Sequence, residues 1–253
     1  MATNCARPDP DGLFDGGLLL HQPARGHRVG ADAVLLAAAA PAVPRGLIVD
    51  AGAGVGAVGL ALALWNPLAQ AALLEKNPAA AALARQNIPL NGLEGRARVV
   101  EADLFDVAAR KAEGLAEAAD LVVTNPPYLA CGAARSSPDS DRAMAHMLDE
   151  GGAEKWLRAG LALLRPGGIF VAIHRADALA DLLAALEGRL GELRVLPIFP
   201  REGEKAVRVI LRGRKGSKAP LALLPGLVLH EADGRFTPAA AAIHRQGRRI
   251  FPD

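Results

Sequence analysis

The chain has 253 residues, 51% of them hydrophobic and 22% charged, with a formal net charge of +2. That length allows one large α/β domain or two small ones and is enough to bury a substantial core. No run of eighteen apolar residues is available to span a bilayer, no secretory pattern follows the polar start at 1–10, and the only cysteines, Cys5 and Cys131, make neither a disulfide framework nor a metal cluster. Two free cysteines point to the reducing cytoplasm, and a monomer is the expected state.

From residue 46 onward, short β-like runs alternate with Ala- and Leu-rich helical stretches. Residues 46–50 read as a buried strand and 55–64 as the helix after it. A second strand covers 71–75, and a helix over 78–91 is opened by Pro78 and stopped at Asn91-Gly92. The third and fourth strands are 97–101 and 120–124. A helix over 153–164 ends at Arg165-Pro166-Gly167-Gly168, a fifth strand covers 169–174, and a helix covers 179–190. Strands at 193–199 and 206–211 leave no room for a helix between them and therefore form an antiparallel hairpin. This alternation predicts an α/β fold: a seven-stranded, mostly parallel Rossmann-like sheet with an antiparallel last strand and helices on both faces. Residues 1–26 are set apart as an N-terminal arm, and 27–253 form one domain. Residues 212–220 look like a mobile connector. Residues 128–152 form a long stretch with few element signals, which in a compact domain marks function or disorder.

Four candidate sites fall at predicted strand ends. The first is Asp50-Ala51-Gly52-Ala53-Gly54-Val55-Gly56, where Gly52, Gly54 and Gly56 let backbone approach a ligand between a strand and a helix. Ala57 stands where the dinucleotide pattern needs glycine, so the loop suits a nucleoside-type ligand at least as well as a pyrophosphate. The second is Glu75, placed to accept hydrogen bonds from ribose hydroxyls; Lys76 is either its ion-pair mate or part of the same ligand site. The third is Asp103-Leu104, a carboxylate for an adenine amino group beside an apolar side chain for its ring. The fourth is Asn125-Pro126-Pro127-Tyr128. Two prolines stiffen this turn and remove two donors, which leaves carbonyls and the Asn125 oxygen as acceptors for a planar amino group. Tyr128, the only Tyr, can stack on the ring that carries it, a contact worth about 1–3 kcal/mol.

Two further features are less specific. In Arg28-Val29-Gly30-Ala31-Asp32, Asp32 is explained by a helix N-terminus, while Gly30 is not. Basic residues gather at Arg208, Arg212, Arg214, Lys215 and Lys218, and again at Arg245, Arg248 and Arg249. They are read either as a phosphate footprint that includes Arg214 and Lys215 or as solvated loops.

Taken together, these residues resemble the class I S-adenosylmethionine-dependent methyltransferases that carry an Asn-Pro-Pro-Tyr motif. More closely, the chain is similar to the bacterial valine-tRNA adenine-N6 methyltransferase family. The similarity lies in residues 28–36, the tetrapeptide and Pro200-Arg201-Glu202-Gly203-Glu204-Lys205, and it spans roughly 13–235. It implies S-adenosyl-L-methionine as cofactor, with its methionine end at the glycine loop near Gly30 and Asp32, its ribose at Glu75 and its adenine at Asp103 and Leu104. It also implies RNA, specifically tRNA, as partner, and a target adenine that leaves its stack to be held by Asn125 and the Pro126 carbonyl against Tyr128. The tetrapeptide alone also fits a glutamine side-chain amide or guanine N2, and a nucleotide-binding module without catalysis is the non-enzymatic alternative.

Overall fold

The computed structural model describes residues 9–24, 28–126 and 152–251. Its first elements are a small hairpin, Asp11–Leu13 (β1) with Leu18–Leu20 (β2), and the helix Ala31–Ala39 (α1). There follow Gly46–Ala51 (β3), Ala57–Trp65 (α2), Ala69–Glu75 (β4), Pro78–Leu90 (α3), Ala97–Glu101 (β5), Val107–Ala112 (α4) and Ala119–Thr124 (β6). After the segment 127–151 come Gly152–Leu161 (α5), Leu164–Arg175 (β7), Leu179–Leu186 (α6), Leu190–Phe199 (β8) and Arg208–Lys215 (β9). Two short strands, Ala222–Leu223 (β10) and Leu227–Val228 (β11), precede the helix Pro238–Gln246 (α7).

Nine of these strands make one sheet in the order β10-β8-β9-β7-β6-β3-β4-β5, with β11 also on β8. The run β7-β6-β3-β4-β5 is parallel. Side chains alternate between the sheet's faces, and both faces are covered, which is why the central strands are apolar without interruption. Ile48, Leu73, Leu121, Val123, Val171 and Ile173 join α1, α2, α3 and α7 in one core. Val49, Leu74, Val122, Phe170 and Ala172 join α5 and α6 in the other. Local sequence sets the helix ends. Asn77 caps α3 by accepting the amides of Ala79 and Ala80, worth about 1 kcal/mol, and Thr237 caps α7, which stops at Gly247 in a left-handed turn.

The α/β class is as expected, and the sheet gains the two-residue strands β10 and β11, both parallel to β8. The hairpin of β8 and β9 is also as expected, but β9 lies between β7 and β8, antiparallel to both. Residues 212–215 do not belong to a mobile connector. They continue β9, with Arg212, Gly213 and Arg214 paired to Val171, Phe170 and Ile169 of β7 and Lys215 to Leu190 of β8. β7 itself starts at Leu164, five residues before the expected strand, so α5 ends at Leu161 rather than 164, and Leu164 pairs with Ala119. Within the segment set apart as an arm, residues 9–24 carry the β1-β2 hairpin. Leu18 and Leu20 are buried in the core, and Asn91 and Asn87 hold the amides of Leu19 and His21.

Candidate active site

The parallel register brings the four candidate strand ends to one edge. Ala51 is opposite both Leu74 and Thr124, and Glu75 is opposite Glu101. The residues that follow, Gly52, Lys76, Ala102 and Asn125, therefore emerge side by side at the carboxyl edge, where open α/β sheets bind ligands.

The glycine loop is pinned from two directions. The amides of Gly52 and Ala53 donate to the Leu74 carbonyl at 2.9 and 3.1 Å. Gly54, itself at positive φ, donates its amide to Glu75 Oε2 at 2.8 Å, and Asn77 donates to Glu75 Oε1 at 2.7 Å. Each carboxylate oxygen thus holds one backbone amide and keeps lone-pair capacity for another donor. Glu75 is a structural hub of the loop and still fits the ribose role. Gly52 has φ +78°, and a Cβ there would come within 2.7 Å of Trp156 Cζ2, so both backbone and space demand glycine. Asp50 is 3% exposed and accepts the Gly59 amide at 2.8 Å, tying β3 to α2. Burial pushes its pKa up to about 7; the Gly59 bond opposes that rise and the charge of Glu75 adds to it.

At the end of β5, Asp103 Oδ1 accepts the Phe105 amide at 2.9 Å, and Lys76 Nζ stands 3.8 Å from Oδ2. Leu104 is 3% exposed and packs into the core, whereas Phe105 is half-buried and meets Trp156 edge-on at 5.9 Å. Phe105 carried no signal in the sequence, yet it is the apolar ring at this strand end.

Asn125 follows Thr124 out of β6. Its Oδ1 is buried and has no hydrogen-bond partner. A buried acceptor left unpaired costs roughly 1–3 kcal/mol, so this oxygen is suited to a ligand's N–H or O–H. Pro126 is buried beside it. Pro127, Tyr128 and the residues through 151 lie outside the described residues, as do His27, Cys5 and Cys131.

Gly30 caps α1 and Asp32 lies in its first turn. A Cβ on Gly30 would touch nothing within 4 Å, so no contact inside the fold requires glycine there. Asp32 accepts Arg208 Nε at 2.9 and 3.2 Å, across a separation of 176 residues that sequence could not bridge. The first basic cluster is largely committed within the protein. Arg208 pairs with Asp32, Arg214 with Glu192 and Lys215 with Glu117, and Arg212 lies over the Phe251 ring. Lys218, Arg245 and Arg248 are exposed.

A doubly covered parallel sheet, an antiparallel strand inserted beside β7, and a glycine loop next to a strand-end carboxylate together define the class I methyltransferase fold. The methyltransferase small domain model matches residues 27–173, and the chain belongs to that family. The tRNA1(Val) (adenine(37)-N6)-methyltransferase of Porphyromonas gingivalis is 31% identical over 224 residues, covering 83% of this chain and 84% of that protein. The release factor glutamine methyltransferase of Moorella thermoacetica is 32% identical over 161 residues, covering 60% of this chain and 54% of that protein. The solved structure of a predicted O-methyltransferase from Agrobacterium tumefaciens superposes with a TM-score of 0.70 at 33% identity, over 87% of this chain and 98% of that one.

Proposed function

We propose that the chain transfers a methyl group from S-adenosylmethionine to the N6 amino group of an adenine in tRNA. The observation that carries this reading is the unpaired, buried Oδ1 of Asn125 beside the glycine loop. An exocyclic amino group offers two N–H donors. One goes to Asn125 Oδ1 and the other to the Pro126 carbonyl, which leaves the nitrogen's lone pair facing the methyl donor.

When bound, S-adenosylmethionine supplies an electrophilic methyl group on a sulfonium. Gly52, Gly54 and Gly56 with Gly30 and Asp32 would hold its methionine end, Glu75 its ribose, and Asp103, Lys76, Leu104 and the half-buried ring of Phe105 its adenine. Asp50 sets the start of the loop from below. Alignment of acceptor and donor supplies much of the barrier reduction, and the acceptor's proton leaves after transfer, so a strong general base is not required. Tyr128 stacks on the extruded base.

Adenine in tRNA is favoured over a protein glutamine because the similarity to the adenine-N6 enzyme spans 84% of that protein, while the similarity to the glutamine enzyme spans 54%. Mass spectrometry of nucleosides from the tRNA of cells with and without the gene tests this. Loss of N6-methyladenosine is expected; an unchanged tRNA profile would overturn the assignment and point to ribosomal RNA, then to protein glutamine.

A further inference from the structure

One buried side chain touches three walls of the site although it comes from a helix that sequence reading left out of it. Trp156, in the first half of α5, is 7% exposed. Its Nε1–H donates to Thr124 Oγ1 at 2.7 Å, and the Thr124 hydroxyl donates in turn to the Ala51 carbonyl at 2.7 Å. Thr124 is the residue before Asn125, and Ala51 is the residue before Gly52. The far edge of the indole fills the space that a Cβ on Gly52 would need, and the Phe105 ring stands edge-on against it at the end of β5.

We propose that Trp156 is a positioning residue for methyl transfer. Through Thr124 it fixes the spacing between the loop that carries the methyl donor and the strand end that carries Asn125. Ala51 and Thr124 are already neighbours in register, but parallel strands hydrogen-bonded along their length still splay where they end. The relay from indole to hydroxyl to carbonyl closes that open end with two buried bonds, and the indole ring supports the glycine loop from below. Displacements of about 1 Å between reacting groups cost on the order of a hundredfold in rate, so slack at this joint appears in the chemical step before it appears in binding. The inference rests on the methyltransferase reading of the same edge.

The test compares Trp156→Phe, Thr124→Val, Thr124→Ser and the double variant Trp156→Phe/Thr124→Val. Single-turnover methylation of tRNA is measured beside the affinity for S-adenosylhomocysteine and the melting temperature. Each of Trp156→Phe and Thr124→Val is expected to slow transfer about tenfold, with affinity for S-adenosylhomocysteine, the demethylated product, within about threefold; Thr124→Ser, which keeps the hydroxyl, stays at the wild-type rate. Because both changes cut one relay, the double variant is no slower than the worse single variant. A wild-type rate for Thr124→Val, or losses that multiply in the double variant, would overturn the proposal. A separate arm does not depend on the acceptor. In Trp65→Phe the remaining indole is Trp156, and S-adenosylhomocysteine should change its emission, while an unchanged spectrum at saturation counts against the coupling. If the wild-type protein leaves tRNA unmethylated but this emission responds, the assignment of tRNA fails and the coupling stands.

Discussion

Glu75→Gln separates the two roles assigned to that carboxylate. In the protein, Oε2 takes the Gly54 amide and Oε1 the Asn77 amide, so each oxygen has one further site for a ribose hydroxyl. Glutamine replaces one oxygen by an NH₂ group that cannot accept. Whichever way the amide turns, either Gly54 or Asn77 loses its acceptor, and so does one hydroxyl. A hydrogen bond to a charged group contributes about 1.5–3 kcal/mol, which converts to a roughly 10- to 150-fold weaker Kd for S-adenosylhomocysteine. Calorimetric titration of wild type and Glu75→Gln measures this directly, with thermal melts as a control for folding. A Kd within about threefold of wild type, in a variant that melts normally, would show that Glu75 serves only the loop.

Asn125→Ala should abolish most transfer, a loss of about a hundredfold or more by misalignment, while calorimetry finds cofactor affinity largely kept; lost affinity with a near-normal rate would reassign Asn125. Burial raises the pKa of Asp50 from an ordinary 3.8 to about 7 in the folded protein, so its contribution to stability is greatest below the unfolded value and declines as pH rises through about 7. Asp50→Asn removes that penalty, which is at most about 4 kcal/mol. Its melting temperature should exceed wild type at pH 8, and the gap should narrow by more than half at pH 5. Arg245→Ala/Arg248→Ala should weaken tRNA binding and lower its salt slope by about two, whereas Arg214→Ala/Lys215→Ala should leave the slope unchanged because both side chains are held by Glu192 and Glu117.

The sequence made the sheet legible where apolar runs were long. Residues 97–101 have the same bounds in both readings, and β3, β4 and β6 differ by a residue or two. It hid β1, β2, β10 and β11, whose two or three residues are too few to show a period. The helix α7 could have been read: Thr237-Pro238, an alanine run and Gly247 are its start and stop signals. The site divides in the same way. Glycine, Glu75 and Asn125 announce themselves by type and by position after a strand. Trp156, Phe105 and Arg208 act through neighbours 32, 51 and 176 residues away, and no local pattern encodes such pairings.

The short strands β10 and β11 bear on how this protein behaves in a concentrated solution. They lie along the outer side of β8, pairing with Arg194, Val195, Ile198 and Phe199, and so occupy backbone groups that a ten-residue edge strand would otherwise offer to another molecule. A fragment ending at residue 219 would keep every candidate residue of the active site but leave that row of amides and carbonyls open to strand addition. β10 and β11 thus act as a guard against edge-to-edge aggregation, which makes the C-terminal boundary of any shortened form a question of solubility as well as of catalysis.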